Sequence, residues 1–171
     1  MTDQAKRDKQ AVIDAVVGGD VGRLESALLR LAKSDASGFL YMTGQLKSTE
    51  QTKQHLSIGL GVYSIGLPPF YFDDGVLYGA TYTDSDHFMT KDAHRSGAGI
   101  VHEEVCQIVS KVRAEYDEGV LKKVRELKAN MEELDALLAG HSFADSKLAS
   151  LAHVDLVRGQ ALLVAALTAS Q

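Results

Sequence analysis

Two apolar stripes at helical spacing open the chain. The first covers residues 12–17 and stops at Gly18 and Gly19, and the second covers residues 24–31. Asp20 stands just before the second stripe, where its side chain suits a helix N-cap. Residues 1–35 are therefore predicted to form a helical pair.

The pattern changes to that of short strands between residues 38 and 84. The run Phe39–Met42 is predicted as a strand, and residues 56–62 alternate aliphatic side chains with mostly small ones, a period of two. Residues 70–83 then contain Asp73-Asp74-Gly75, which suits a tight hairpin turn. We expect an antiparallel β-meander of three or four strands over residues 38–84.

Three glycines fall on these predicted strands, at positions 59, 61 and 79. Glycine weakens a strand unless a bulge or a close neighbour requires it. A bulge or a tightly packed helix on that face is the favoured interpretation, and a ligand lying on the sheet is the alternative.

The second half of the chain is predicted to be helical. One apolar line runs from Val101 to Leu138 at a mean step of about 3.7 residues, close to the repeat of a straight helix. Gly119 lies in the middle and could break it. Because the apolar line keeps its phase through Gly119, one continuous helix is favoured over two.

A last helix is predicted over Lys147–Thr168, with Ser142 or Asp145 as its cap. Its final residues, 161–167, are apolar on all sides, which predicts burial on most sides. Such a helix either crosses the middle of the domain or is buried in another subunit. We favour a homo-oligomer formed through the C-terminal helices.

Together these elements predict an α+β fold in a single domain, residues 1–171. It consists of an N-terminal helical hairpin (1–35), an antiparallel β-meander of three to four strands (38–84) and long C-terminal helices (97–169) that pack on the sheet.

Composition narrows the setting and the partners. The 171 residues are 45% hydrophobic and 24% charged, which is typical of a folded globular protein. A net charge of −5 disfavours nucleic-acid binding and favours a basic protein partner. The chain has one cysteine, its N-terminus lacks the apolar core of a secretory signal, and no stretch is expected to span a membrane. These features predict a cytoplasmic protein.

Half of the six histidines fall in the junction from Asp84 to Glu104. His87, His94, His102 and Cys106 could hold a metal ion with nearby aspartates, because His102 and Cys106 are four apart and would share a helix face. The segment 102–106 resembles the HExxH motif of zinc proteases, with Cys106 in place of the second histidine. A metal site is one hypothesis for this junction.

An anion site is the second hypothesis for the junction. Arg95, Ser96, Gly97 and Gly99 are predicted to form a turn that opens a helix, whose free N–H groups favour a phosphate. The order of elements and this turn resemble the acyl-CoA-binding half of the GNAT acetyltransferases. In that family an Arg or Gln begins the pyrophosphate turn, whereas His94 stands there in this chain. The resemblance implies a CoA or phosphate ligand.

No strong catalytic motif emerges from the sequence, and no cofactor is identified. The leading hypothesis is a small acidic protein-binding or regulatory protein without catalytic activity, such as an inhibitor, an immunity-type factor or an assembly adaptor. The alternative is a small enzyme with a metal or CoA/phosphate site at residues 84–104.

Overall fold

The computed structural model describes residues 2–49, 55–57, 67–86, 90–141 and 145–168. The fold is α+β, as predicted. The chain divides into two compact units, Met1–Arg113 and Ala114–Gln171. They are described in turn, and the expectation of a single domain stays a prediction.

The helices and strands follow one another in an order that begins and ends with helices. They are α1 (Asp3–Gly18), α2 (Val21–Ser34), α3 (Ala36–Lys47), β1 (His55–Ser57), β2 (Phe70–Asp73), β3 (Val76–Asp84), β4 (Thr90–Val101), α4 (His102–Ala139) and α5 (Ser146–Thr168). Unit 1 holds the first seven elements and the start of α4, while unit 2 holds the remainder of α4 and α5.

The N-terminal helical pair is confirmed by α1 and α2. Gly19 closes α1 with φ at 69°, a value that glycine adopts without strain. The Asp20 side chain then accepts a hydrogen bond from the Arg23 N–H at 2.9 Å, which caps α2 as predicted. The apolar stripes of both helices are buried in unit 1.

The predicted strand at Phe39–Met42 is wrong, since these residues lie within α3. Asp35 accepts a hydrogen bond from the Gly38 N–H at 2.9 Å and caps this helix. Phe39, Met42 and Leu46 follow at steps of three and four, and all three are fully buried. Phe39 and Met42 therefore lie on the buried side of a short helix while Leu40 and Tyr41 are exposed, and tertiary packing outweighs the local strand propensity.

The described strands form one antiparallel sheet in the order β1-β4-β3-β2. The hairpin between β2 and β3 is confirmed, with φ of 47° at Asp74 and 75° at Gly75 in the turn. β1 pairs with β4 at residues 55–57, and the rest of the strand predicted at 56–62 lies outside the described residues. Thus β2, β3 and β4 form a meander of three strands, with β1 at its edge.

The predicted turn at residues 95–99 is also wrong, because these residues belong to β4. Between the pairs Leu77–Ile100 and Gly79–Ser96, two steps on β3 face four on β4, which marks a bulge. Gly97 and Gly99 take up the extra residues with φ of 83° and 71°. The helix begins only at His102.

Helix α1 packs on the sheet at this bulge. A Cβ on Gly97 would fall on the backbone of Val17, and one on Gly79 would fall on the Val17 side chain. The interpretation of Gly79 as a site of close helix packing is therefore confirmed. Gly59 and Gly61 lie outside the described residues.

The long helix is confirmed as one continuous element, α4, which runs through Gly119. In unit 1 its first turns bury Val105, Ile108, Val109 and Val112. The His102 ring meets the Phe72 ring of β2 edge-on, with centroids 5.0 Å apart, so the start of α4 contacts the sheet.

Unit 2 is a hairpin of two helices, the 114–139 part of α4 and α5. The Asp145 carboxylate accepts hydrogen bonds from the N–H groups of Lys147 and Leu148 at 2.9 and 3.1 Å, which confirms it as a cap of α5. His153 lies against Asp135, and Gln160 donates to the carbonyl oxygen of Val124 at 3.4 Å. Since later residues of α5 meet earlier residues of α4, the helices are antiparallel.

Candidate functional site

The structure distributes the junction residues over β3, β4 and the first turn of α4. His87 lies outside the described residues. His94 and Arg95 are neighbours on β4, so their side chains point to opposite faces of the sheet. A site that used both side chains is not assembled on this strand.

Both side chains have partners on the sheet itself. His94 contacts the Thr83 hydroxyl at 2.9 Å, across the β3–β4 ladder. The Arg95 guanidinium lies over the Tyr78 ring, 5.6 Å from its centroid, and 4.0 Å from the Asp73 carboxylate. These contacts place Arg95 on a sheet surface.

His102 and Cys106 share one side of α4, as predicted. The His102 Nε2–H donates to the carbonyl oxygen of Leu46 at 3.1 Å, because a carbonyl can only accept. The Cys106 Sγ lies 3.8 Å from both ring nitrogens of His102. His102 thereby links the end of α3 to the start of α4.

These positions affect the metal-site hypothesis and the anion-site hypothesis for the junction in different ways. Among the described residues no group of three or more His, Cys, Asp or Glu side chains could hold a metal ion. The set that includes His87 stays a prediction. For the anion site, residues 95–99 do not open a helix, so the free N–H groups that motivated it are not supplied there.

Asp8 is a buried carboxylate that the sequence did not single out. Its side chain accepts hydrogen bonds from Ser34 at 2.8 Å and Gln4 at 3.0 Å, and the Arg30 Nε lies 3.5 Å away. Desolvation by burial alone would raise the pKa of Asp8, but the hydrogen bonds and the Arg30 charge outweigh it and lower that pKa. These contacts join α1 to α2, which is a structural role.

The exposed apolar surface of unit 2 is the candidate site that the structure brings forward. Among the described residues, Met131 is the one buried apolar side chain of this unit, while eleven large apolar side chains are exposed. Eight of these belong to α5: Leu148, Leu151, Val154, Leu156, Val157, Leu162, Leu163 and Val164. Surfaces of this kind mark interaction sites in soluble proteins.

A groove of about 670 Å³ lies between the two helices of unit 2. Its lining is mainly apolar and contains Met131, Val157, Ala161, Val164 and Ala165, together with the polar residues Lys128, Glu132, His153 and Gln160. An amphipathic helix of a partner binds in grooves of this type through its apolar side chains.

The apolar end of α5 was expected to be buried, and within the chain it is exposed. Residues 146–166 are long and apolar enough to cross a membrane by length and composition alone. That criterion is also met by helices that pack in proteins. The expectation of no membrane segment therefore stays a prediction.

The spacing of leucines on α5 is a further sequence feature that indicates an interaction surface, and the sequence predictions above do not include it. Leu148, Leu151 and Leu162 share one side of the helix with Asp155 and Arg158, a pattern with alternating steps of three and four.

Comparison with known proteins found no matching family model, and no curated protein and no solved structure matched the chain.

Proposed function

We propose that this is a protein-binding protein without catalytic activity, and that it binds its partners through the helical hairpin of unit 2. The observation that carries the proposal is the exposure of the apolar side chains of α5. None of the described residues of this helix is buried within the chain. Leaving so much apolar surface in water costs free energy, at about 25 cal/mol for each Å². A protein partner that covers it recovers that free energy.

Charge supports the same proposal. Unit 2 contains nine Asp or Glu and six Lys or Arg residues, so it carries three of the five net negative charges of the chain. The net negative charge of the unit that holds the apolar groove favours a basic amphipathic helix, because complementary charge speeds encounter and selects the partner. An inhibitor, an immunity-type factor or an assembly adaptor would each use such a surface.

The test compares two Val→Glu substitutions at similarly exposed positions. Val157 is 44% exposed in the groove of unit 2, and Val21 is 39% exposed on α2 of unit 1. The tagged wild-type chain is expected to retain a stoichiometric partner from its native source. Val157→Glu should lose that partner, whereas Val21→Glu should keep it.

Circular dichroism of each variant checks that the helices remain intact. Equal retention of the partner by all three chains would contradict the proposal, as would loss of the partner from Val21→Glu alone. Absence of any stoichiometric partner on the wild-type chain would also count against it.

A further inference from the structure

Helix α5 has a second apolar side, which points away from α4. His153 and Gln160 mark the side that meets α4. Successive residues of an α-helix are rotated by about 100° around its axis. Leu151 and Leu162 therefore lie about 170° around α5 from the mean direction of the His153 and Gln160 side chains. Asp155 lies close to the same outward direction. We call the side formed by Leu148, Leu151, Asp155, Arg158, Leu162 and Ala165 the outward face.

The outward face is well exposed and has a regular composition. Leu148, Leu151 and Leu162 are 65%, 61% and 66% exposed. Their spacing with the two charged residues alternates steps of three and four, the pattern of a helix that packs lengthwise against another helix. The face is apolar toward both ends and carries one negative and one positive charge at its centre.

This arrangement is self-complementary. We propose that the outward face binds the same face of a second copy of this chain, with the two α5 helices antiparallel and the two-fold axis passing between Leu156 and Val157. Asp155 then lies beside the partner subunit's Arg158, and Arg158 lies beside the partner subunit's Asp155. Leu151 packs against the partner subunit's Leu162, so the contact is isologous.

The charges select the antiparallel orientation. In a parallel pair Asp155 would face its own equivalent and Arg158 would do the same, which places like charges together. The antiparallel pair replaces both repulsions with attractions between opposite charges. A polar pair at the centre of an apolar helix contact also fixes its register, because any shift leaves the charges unpaired.

Small residues flank the outward face and permit a close approach. Ala152, Gly159 and Ala161 stand beside the contact line, and a Cβ added at Gly159 would meet nothing within 4 Å in the chain itself. The backbones of two α5 helices can therefore come near each other without a clash. The contact line from Leu148 to Ala165 is about 26 Å long.

A lipid bilayer fits the outward face less well than a second copy does. Asp155 and Arg158 stand near the middle of the apolar stretch 146–166, the position that a bilayer would hold furthest from water. Charged side chains are most costly there. In the antiparallel pair the same two charges neutralise each other.

This inference rests on the proposed function, since it names the occupant of the outward face and leaves the groove, whose lining shares Ala165 with that face, to another partner. The test uses sedimentation velocity on the full chain, on Asp155→Arg, on Arg158→Asp, on their equimolar mixture and on the double variant. The wild type is expected to dimerise. Each single variant should weaken self-association at least about tenfold, because it puts like charges in contact.

The mixture of the two single variants should restore dimers, since every charge then meets its opposite, and the double variant should dimerise like the wild type. Circular dichroism checks that each variant is folded. A monomeric wild type, single variants that self-associate as the wild type does, or a mixture that stays monomeric would overturn the proposal. Flotation of a monomeric wild type with phosphatidylcholine vesicles would assign α5 to a membrane instead.

The two proposals fail in different ways. If the wild type is monomeric yet retains a partner that Val157→Glu loses, the second copy is wrong while the binding function stands. If the chain dimerises as described but Val157→Glu and the wild type retain the same proteins, the groove function is wrong while the helix pairing stands.

Discussion

The two units of this protein differ in the burial of their apolar residues, which are largely buried in unit 1 and largely exposed in unit 2. In unit 1 the apolar stripes of α1, α2, α3 and the first turns of α4 are buried, with α1 packed on α2, on α3 and on the sheet. In unit 2 the apolar residues of α5 remain in contact with solvent, and Met131 is the buried exception among the described residues. Unit 1 therefore has a core of its own, whereas two helices alone do not enclose one.

The difference has a functional meaning. A unit with a closed core gains its stability from within the chain, and its surface residues are free to be polar. A hairpin with exposed leucines gains stability only when another molecule covers them. Under the proposed function, unit 1 is the stable scaffold and unit 2 is the part that binds.

The same substitution in both units should produce the largest contrast. Leu28→Ala removes a fully buried side chain of unit 1 and is expected to cost about 2–5 kcal/mol in the free energy of unfolding. Leu151→Ala in unit 2 should change the stability of the isolated chain by no more than about 0.5 kcal/mol. Chemical denaturation of dilute protein measures both.

If Leu28→Ala and Leu151→Ala lowered the free energy of unfolding by similar amounts, the difference in burial between the two units would be contradicted. A repeat of the measurement at high protein concentration sharpens it, because self-association adds stability that Leu151→Ala should then reduce.

A second contrast uses two glycines. Gly97→Ala should destabilise the protein by about 1–3 kcal/mol or more, since φ is 83° there and the new methyl group would fall on the Val17 backbone. Gly119→Ala should stabilise it by up to about 1 kcal/mol, because Gly119 is inside α4 with nothing within 4 Å of the added Cβ. Thermal unfolding of both variants should shift in opposite directions.

A destabilising Gly119→Ala would indicate that α4 needs a flexible point at this position. A neutral Gly97→Ala would contradict the close packing of α1 on the β4 bulge.

A third contrast depends on pH and is the smallest. The folded-state pKa of Asp8 is lowered, so its contacts stabilise the protein above about pH 4 and that stability is lost as the pH falls through the folded pKa. Asp8→Asn should cost about 1 kcal/mol at neutral pH. The difference from the wild type should shrink in acid.

Glu126→Gln in unit 2 is the matched control. A hydrogen bond and the positive charge from Lys123 lower the pKa of Glu126 too, but this ion pair is exposed and solvent screens it. Its loss should leave the unfolding curve unchanged at every pH. A wild type and Asp8→Asn that differ equally at all pH values would contradict the role given to the Asp8 carboxylate.

The sequence predicted the elements whose periodicity and caps agree. Helices α1, α2 and α4 and the β2–β3 hairpin follow directly from apolar spacing, from Asp20 and from the Asp-Gly turn. The sequence did not predict α3, because Phe39–Met42 favours a strand locally. The helix is favoured because it buries Phe39, Met42 and Leu46 on one side. β4 was missed because Gly97 and Gly99 read as a turn, whereas they form a bulge that pairing with β3 reveals.

The candidate site was harder to predict than the fold. The histidines of the junction have the chemistry of metal ligands, yet His94 and His102 contact neighbours within the sheet and α3. The apolar end of α5 predicts that another element or subunit covers it, and a homo-oligomer stays a prediction. That the leucines lie opposite α4 could be learned only from the contacts that His153 and Gln160 make.

Hydrogen–deuterium exchange of the full chain at low and high protein concentration tests the central claim most directly. If protein covers the apolar surface of unit 2, the amides of α5 should exchange quickly in dilute solution and slow down as concentration rises. The amides of α1 and α2 should exchange slowly at both concentrations. An α5 helix that is as protected in dilute solution as α1 and α2, with no dependence on concentration, would contradict the account.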